Sequence, residues 1–249
     1  MKRALLALPL LALQLGCAGQ SGCAGSACTR VLFIGNSYTY VNDLPTVFAD
    51  LAASGGHQVE TGMLANGGST LANHVSDPST EATLTGSQWN IVVLQEQSEI
   101  PSIPEVRERQ MFPAAHQLVD MVRTAGAQPV FFVTWAHREG WPANGLPDYA
   151  SMQVALDAGY GAVATMEHAQ AVPVGDAWAA ALQWPDVASL WQSDGSHPSL
   201  EGTYLSACVF YASLFHRSPV GLAAASGLPA SEAATLQRVA ALVVLTLPG

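Results

Sequence analysis

From residue 30 onward, short apolar runs rich in β-branched residues alternate with stretches of helix length, and this alternation restricts the fold more than any other feature of the chain. The run "RVLFIG" is apolar throughout, as in a parallel strand covered on both faces. "LPTVFADLAASGG" follows as a helix with Pro45 near its start and glycines at its end. "QVETGMLANGG", "WNIVVLQEQS" and "QPVFFVTWA" read as further strands, and "AQAVPVGDAW" as a short fifth that Pro173 assigns to an edge. Between them, "EVRERQMFPAAHQLVDMVRTAG" and residues 149–169 read as helices, the former stopped by Gly126. Two helices close the chain. In the first, Leu200, Tyr204, Ala207, Tyr211 and Leu214 recur at three- and four-residue steps, which predicts one stripe facing the sheet. The fold class is α/β: a three-layer sandwich around a parallel sheet of about five strands.

With 249 residues, 49% of them hydrophobic, the chain suits one large domain. At its start, "MKRALLALPLLALQLGC" sets Lys2 and Arg3 before an apolar stretch too short to cross a hydrocarbon core of roughly 30 Å. Residues 1–16 therefore read as an export signal, 17–29 as a small, polar tether, and 30–249 as a single folded domain. Gly16-Cys17, with Leu13 and Leu15 upstream, resembles the lipobox at which bacterial signal peptidases cut before a lipidated cysteine. Gln14 departs from that pattern. Both a lipid anchor at Cys17 and an ordinary secretory cut remain open, giving a cell-envelope lipoprotein or a secreted or periplasmic protein without a transmembrane helix in its mature part.

Removal of residues 1–16 takes two of the nine basic residues and none of the nineteen acidic ones, so the net charge moves from -10 to -12. Such a surface argues against nucleic acid as a partner. Lys2 is the only lysine, which excludes a Walker A loop or a Schiff base in the mature chain. Cys17, Cys23, Cys28 and Cys208 are too few for a disulfide scaffold. Cys28 has Cys23 and Cys208 as alternative partners.

Ligands of such sheets bind at the carboxyl ends of the strands. Ser37 directly follows the first strand, where either it or Asn36 could simply cap a helix. In "DGSHPSLEG", Asp194 precedes His197 by three residues, with a glycine to turn the backbone and Pro198 to extend it. That spacing lets the carboxylate reach Nδ1 of His197 and leave Nε2 to accept a proton.

"FIGNSYT", "NGGST", "VVLQEQS" and "DGSHPS" together resemble the ordered blocks of the SGNH/GDSL hydrolase superfamily, over about residues 31–216. The resemblance implies a flavodoxin-like SGNH fold with Ser37 as nucleophile, His197 as general base and Asp194 as its orienting partner. It also implies an oxyanion hole from the N–H of Ser37, the N–H of Gly68 or Gly67, and the amide of Gln95 or Gln97. Asn36 replaces the usual aspartate, and the third block has glutamine where asparagine is usual, as in relatives of sialate-O-acetylesterase. A helix beginning after Ser37 would add its dipole to the oxyanion hole.

Asn36, Tyr38, Gln97, Trp135 and Arg138 are candidates for the substrate cleft, along with His137 and Trp141 after the fourth strand. The other histidines show neither HExxH spacing nor a Cys/His cluster, which argues against a metal site, and most of them read as surface or loop residues. No cofactor is implied. The expected activity is hydrolysis of short acyl esters, foremost O-acetyl groups on carbohydrate. The alternatives are a non-catalytic glycan-binding lipoprotein on the same fold, or an acyltransferase.

Overall fold

The computed structural model describes residues 28–246. Its strands are β1 (Cys28–Gly35), β2 (Gln58–Ala65), β3 (Ile91–Leu94), β4 (Gln128–Phe132) and β5 (Gln170–Val172). They form one parallel sheet in the order β2-β1-β3-β4-β5. The helices are α1 (Ser37–Tyr40), α2 (Leu44–Ser54), α3 (Leu71–Ser76), α4 (Pro78–Gly86), α5 (Pro104–Val106), α6 (Phe112–Thr124), α7 (Tyr149–Met166), α8 (Val174–Ala181), α9 (Leu200–Phe215) and α10 (Ala230–Thr246). A π-helical turn, Arg107–Met111, joins α5 to α6.

The continuous apolar strands work as two-sided walls. Val31 and Phe33 enter a core shared with α2, α8, α9 and α10, while Leu32 and Ile34 enter a second core with α3, α4, α6 and α7. All four are fully buried. Burying each such side chain contributes about 1.5–3 kcal/mol before entropy is counted. The three-layer sandwich expected from the alternation is the fold of the chain, with β5 at an edge as Pro173 indicated.

Several elements differ from their sequence readings. The third strand ends at Leu94: Gln95 N–H still donates to the Ile34 carbonyl (2.9 Å), but Glu96 N–H turns away to the Tyr160 hydroxyl (3.2 Å). The fifth strand stops at Val172, and "VGDAW" opens α8. Between β2 and β3 lie α3 and α4, which the strand pattern did not reveal. Thr70 and Asn73 form a capping box on α3, and Asp77 caps α4 ahead of Pro78. Helix α9 is buried almost continuously from Gly202 to Ser213 rather than along one stripe, because α10 covers the side turned away from α2 and α8. Leu200, placed in the stripe, is 37% exposed.

Cys28 is disulfide-bonded and Cys208 is a free, buried thiol, so Cys208 is not the partner of Cys28. The expected signal, lipidation site and most of the tether lie outside the described residues. Among the described residues, no helix is long and apolar enough to cross a membrane.

Candidate active site

The site begins where β1 ends. A Cβ on Gly35 would collide with Gln95 Oε1 and Thr39 Oγ1, so glycine lets the chain pass these side chains. Asn36 then takes the capping role: its Oδ1 accepts the Tyr38 N–H (3.1 Å), and its Nδ2 donates to the Ser69 carbonyl (2.9 Å) in the loop after β2. With the cap supplied by its neighbour, the Ser37 hydroxyl is left for another partner. Helix α1 is a single turn, and Asn42 and Asp43 adopt left-handed conformations (φ 57° and 54°) before α2. The dipole expected behind Ser37 is therefore that of one turn only.

The other half comes from the loop before α9. Asp194 Oδ1 accepts the N–H groups of Ser196 (2.9 Å) and His197 (3.0 Å), a tight side-chain-to-backbone turn that Gly195 permits with φ +71°. The second oxygen accepts Nδ1–H of His197 at 2.6 Å. Nε2 is then free to accept the Ser37 hydroxyl at 3.0 Å. Desolvation is the largest single influence on Asp194 and opposes its ionisation, but the donors from Ser196 and His197 together outweigh it and hold the carboxyl below the usual range. The structure thus joins Ser37, His197 and Asp194 in one hydrogen-bonded chain.

Two clamps hold the halves together. Asn42 Nδ2 donates to the carbonyls of Pro198 (3.1 Å) and Ser199 (3.0 Å) and to Thr203 Oγ1 (3.0 Å). The Tyr38 hydroxyl meets Ser196 Oγ at 2.8 Å. Its ring stacks on Trp135 (4.4 Å), which stacks on Trp178 (4.0 Å) and donates its indole N–H to the Ser196 carbonyl (2.9 Å). Trp135 is fully buried, so the cleft role considered for it is replaced by support of the histidine loop. Tyr38 and Asn36 are also almost wholly buried and line the site from beneath. The supporting part of Ser196 escaped the sequence reading, though it lies inside the Asp194–His197 motif.

The glycine loop after β2 is exposed, with Gly68 at φ +69°. The N–H groups of Ser37, Gly67 and Gly68 have no internal acceptor among the described residues. Gln95, by contrast, does not reach this opening. It is fully buried; its Oε1 accepts from Asn36 N–H and Thr39 Oγ1 (both 2.9 Å), and its Nε2 donates to the Glu96 carbonyl. The expected oxyanion amide is thus a brace beneath the β1–α1 turn. Gln97 is half-buried, its Oε1 accepting the N–H groups of Glu99 (2.8 Å) and Ile100 (3.2 Å), and its Nε2 donating to Ser98 Oγ at 3.3 Å.

Glu96, unremarked in the sequence, is fully buried between these loops. Its Oε1 accepts Leu71 N–H (3.1 Å) and Gln97 N–H (2.7 Å), while Oε2 has no partner. Burial raises its pKa to about 7 against those two donors. Arg138 is exposed beside Gly195, and its N–H donates to the Gly195 carbonyl (2.8 Å). His137 is half-buried, with burial lowering its pKa. His74 departs from the expected surface position: it is 3% exposed, and its Nε2 meets the Gly35 carbonyl at 2.8 Å. Among the described residues there is no cluster of three or more metal-ligating side chains.

No family model matches the chain, and no curated protein matches it in sequence. Solved structures do. A candidate SGNH hydrolase from Slackia heliotrinireducens superposes with a TM-score of 0.65 at 28% identity, over 75% of this chain and 99% of that one. A DUF4886 family protein from Bacteroides uniformis superposes with a TM-score of 0.75 at 19% identity, over 87% and 95%. TesA, at 18% identity and a TM-score of 0.57, shares the fold. In the ordered blocks of its sequence and in its fold the chain is similar to the SGNH/GDSL hydrolases, and this likeness supports a carboxylic ester hydrolase.

Proposed function

We infer that the protein hydrolyses short acyl esters, with O-acetyl groups on carbohydrate as its substrates, and that Ser37, His197 and Asp194 are its catalytic triad. The observation that carries this reading is the unbroken relay from the Ser37 hydroxyl through His197 to Asp194, which opens beside unpaired backbone N–H groups.

In the reaction, Ser37 Oγ attacks the ester carbonyl as His197 Nε2 takes its proton. The tetrahedral intermediate collapses to an acyl-serine, and the alcohol leaves with the proton returned by His197. Water, deprotonated by the same imidazole, attacks the acyl-serine; collapse of the second intermediate releases the acid and restores the Ser37 hydroxyl. Both negative intermediates are held by the N–H groups of Ser37 and Gly68, with Gly67 the neighbouring donor. Such donors are each worth roughly 3–4 kcal/mol of barrier. Asp194 fixes the imidazole tautomer and offsets its positive charge.

The test is covalent labelling by a fluorophosphonate probe together with turnover of nitrophenyl acetate. Labelling and turnover, both lost in Ser37→Ala with the fold retained, are expected. Undiminished turnover in Ser37→Ala would remove the nucleophile, and absence of labelling in the native chain would favour a glycan-binding module. For the cellular setting, residues 1–16 support export, with Cys17 as the anchoring point.

A further inference from the structure

A cavity of about 250 Å³ that the reaction chemistry leaves unused is lined by Glu99, Ile100, Ile103, Val106, Gln110 and Trp141 among others. It sits between the loops after β3 and β4, on the edge of the sheet that carries Ser37. Its connection to the site runs through the loop after β4 and through Glu99. Arg138, three residues before Trp141, is bonded through its backbone to Gly195 in the histidine loop. The Glu99 carboxylate lies close enough to Tyr38 and to His137 to act on both electrostatically.

The walls are built rather than incidental. Gln97 Oε1 accepts the N–H of Glu99, Ser102 Oγ donates to the Glu99 carbonyl at 2.7 Å, and Trp141 is pinned by its two-way bridge to Leu146. The π-helical turn Arg107–Met111 brings Gln110 to the same cavity as Val106, and such turns recur at functional sites. The Glu99 carboxylate makes no hydrogen bond or ion pair to a described residue, and His137 Nε2, nearby, is buried without a partner.

This mixture selects its occupant. A hydrocarbon chain would strip water from Glu99 and Gln110 and return no hydrogen bond, which disfavours it most strongly at the charged group. A sugar ring offers an apolar face to the indole and hydroxyls to the carboxylate and amide. A ring bearing its own carboxylate would be repelled by Glu99. We propose that this cavity is a subsite for one neutral sugar ring, the alcohol portion of the ester, with its face on Trp141 and its hydroxyls on Glu99 and Gln110. The assignment of the ring to the alcohol portion rests on the ester-hydrolase reading above.

The test is binding of methyl glucoside, methyl glucuronoside and hexanoate to the full chain, followed by NMR. Methyl glucoside is expected to bind, at least about tenfold tighter than the glucuronoside, and to weaken about tenfold in Trp141→Ala. Glu99→Gln is expected to narrow the glucoside preference to roughly twofold, as the charge is removed with the shape retained. Unchanged glucoside binding in both variants, equal or tighter binding of the glucuronoside, or hexanoate as the preferred occupant would overturn the proposal. Fluorophosphonate labelling of the same samples separates the two readings: binding without labelling removes the esterase and leaves the subsite, and labelling without glucoside binding does the reverse.

Discussion

The Tyr38 hydroxyl lies 2.8 Å from Ser196 Oγ, so the residue after the proposed nucleophile holds the loop that carries the proposed base. Tyr38→Phe keeps the stack on Trp135 and removes only this bond. It should cost about 1 kcal/mol of stability and lower kcat by roughly tenfold while leaving KM near its native value. Trp135→Ala, which empties a buried site, should destabilise by about 3–5 kcal/mol. Kinetics with an acetyl ester and thermal unfolding check both; a native kcat in Tyr38→Phe would free the loop from this dependence.

Asp194→Asn should separate fold from catalysis. The asparagine oxygen can still accept the N–H groups of Ser196 and His197, so the turn is kept, but the amide cannot fix the same imidazole tautomer. A fall in kcat of roughly 10³–10⁴-fold with little change in unfolding temperature is expected. A loss below tenfold would place the orienting role elsewhere.

Gln95 is predicted to be a stability residue. Gln95→Ala leaves Asn36 N–H and Thr39 Oγ1 without their acceptor in a buried space, and should destabilise by about 2–5 kcal/mol. Gln97→Ala removes only an acceptor for two N–H groups at a half-buried turn, and about 1 kcal/mol is expected. Denaturant unfolding of the two variants decides the order.

Glu96 sets a pH trend. Its folded pKa is raised to about 7 from an ordinary value of 4.5, so the folded chain binds more protons than the unfolded one between those values. The stability present below pH 4.5 is therefore lost as pH rises through 7, by at most about 1.4 kcal/mol per pH unit. Asp157, raised by burial to about 6, adds to the same trend. Glu96→Gln should flatten the fall between pH 5 and 7, measured as urea midpoints; an unchanged slope would assign the trend to Asp157 and its neighbours.

The layers of the fold were legible because burial on both sides of a parallel sheet demands continuous apolar strands, and "RVLFIG" and "IVVL" could serve nothing else. Asp194 and His197 were legible because the local turn between them encodes its own geometry, whereas Ser37, which on its own reads equally as a helix cap, was singled out by the resemblance of the ordered blocks. What the sequence hid was decided by tertiary packing. Gln95 and Trp135 carry polar atoms that suit a cleft, but their positions were fixed by where β3 and β4 end, which depends on Tyr160 and Trp178 from distant helices. Leu200 fell outside the buried face of α9 because α10, not the sheet alone, defines that face.

The Asn42 clamp joins the first loop of the chain to residues about 160 positions later. Contacts of such separation are entropically expensive and form late. The sheet can therefore assemble before Ser37 meets His197. Ester cleavage is expected to return during refolding with the docking of α9 rather than with the formation of the strands.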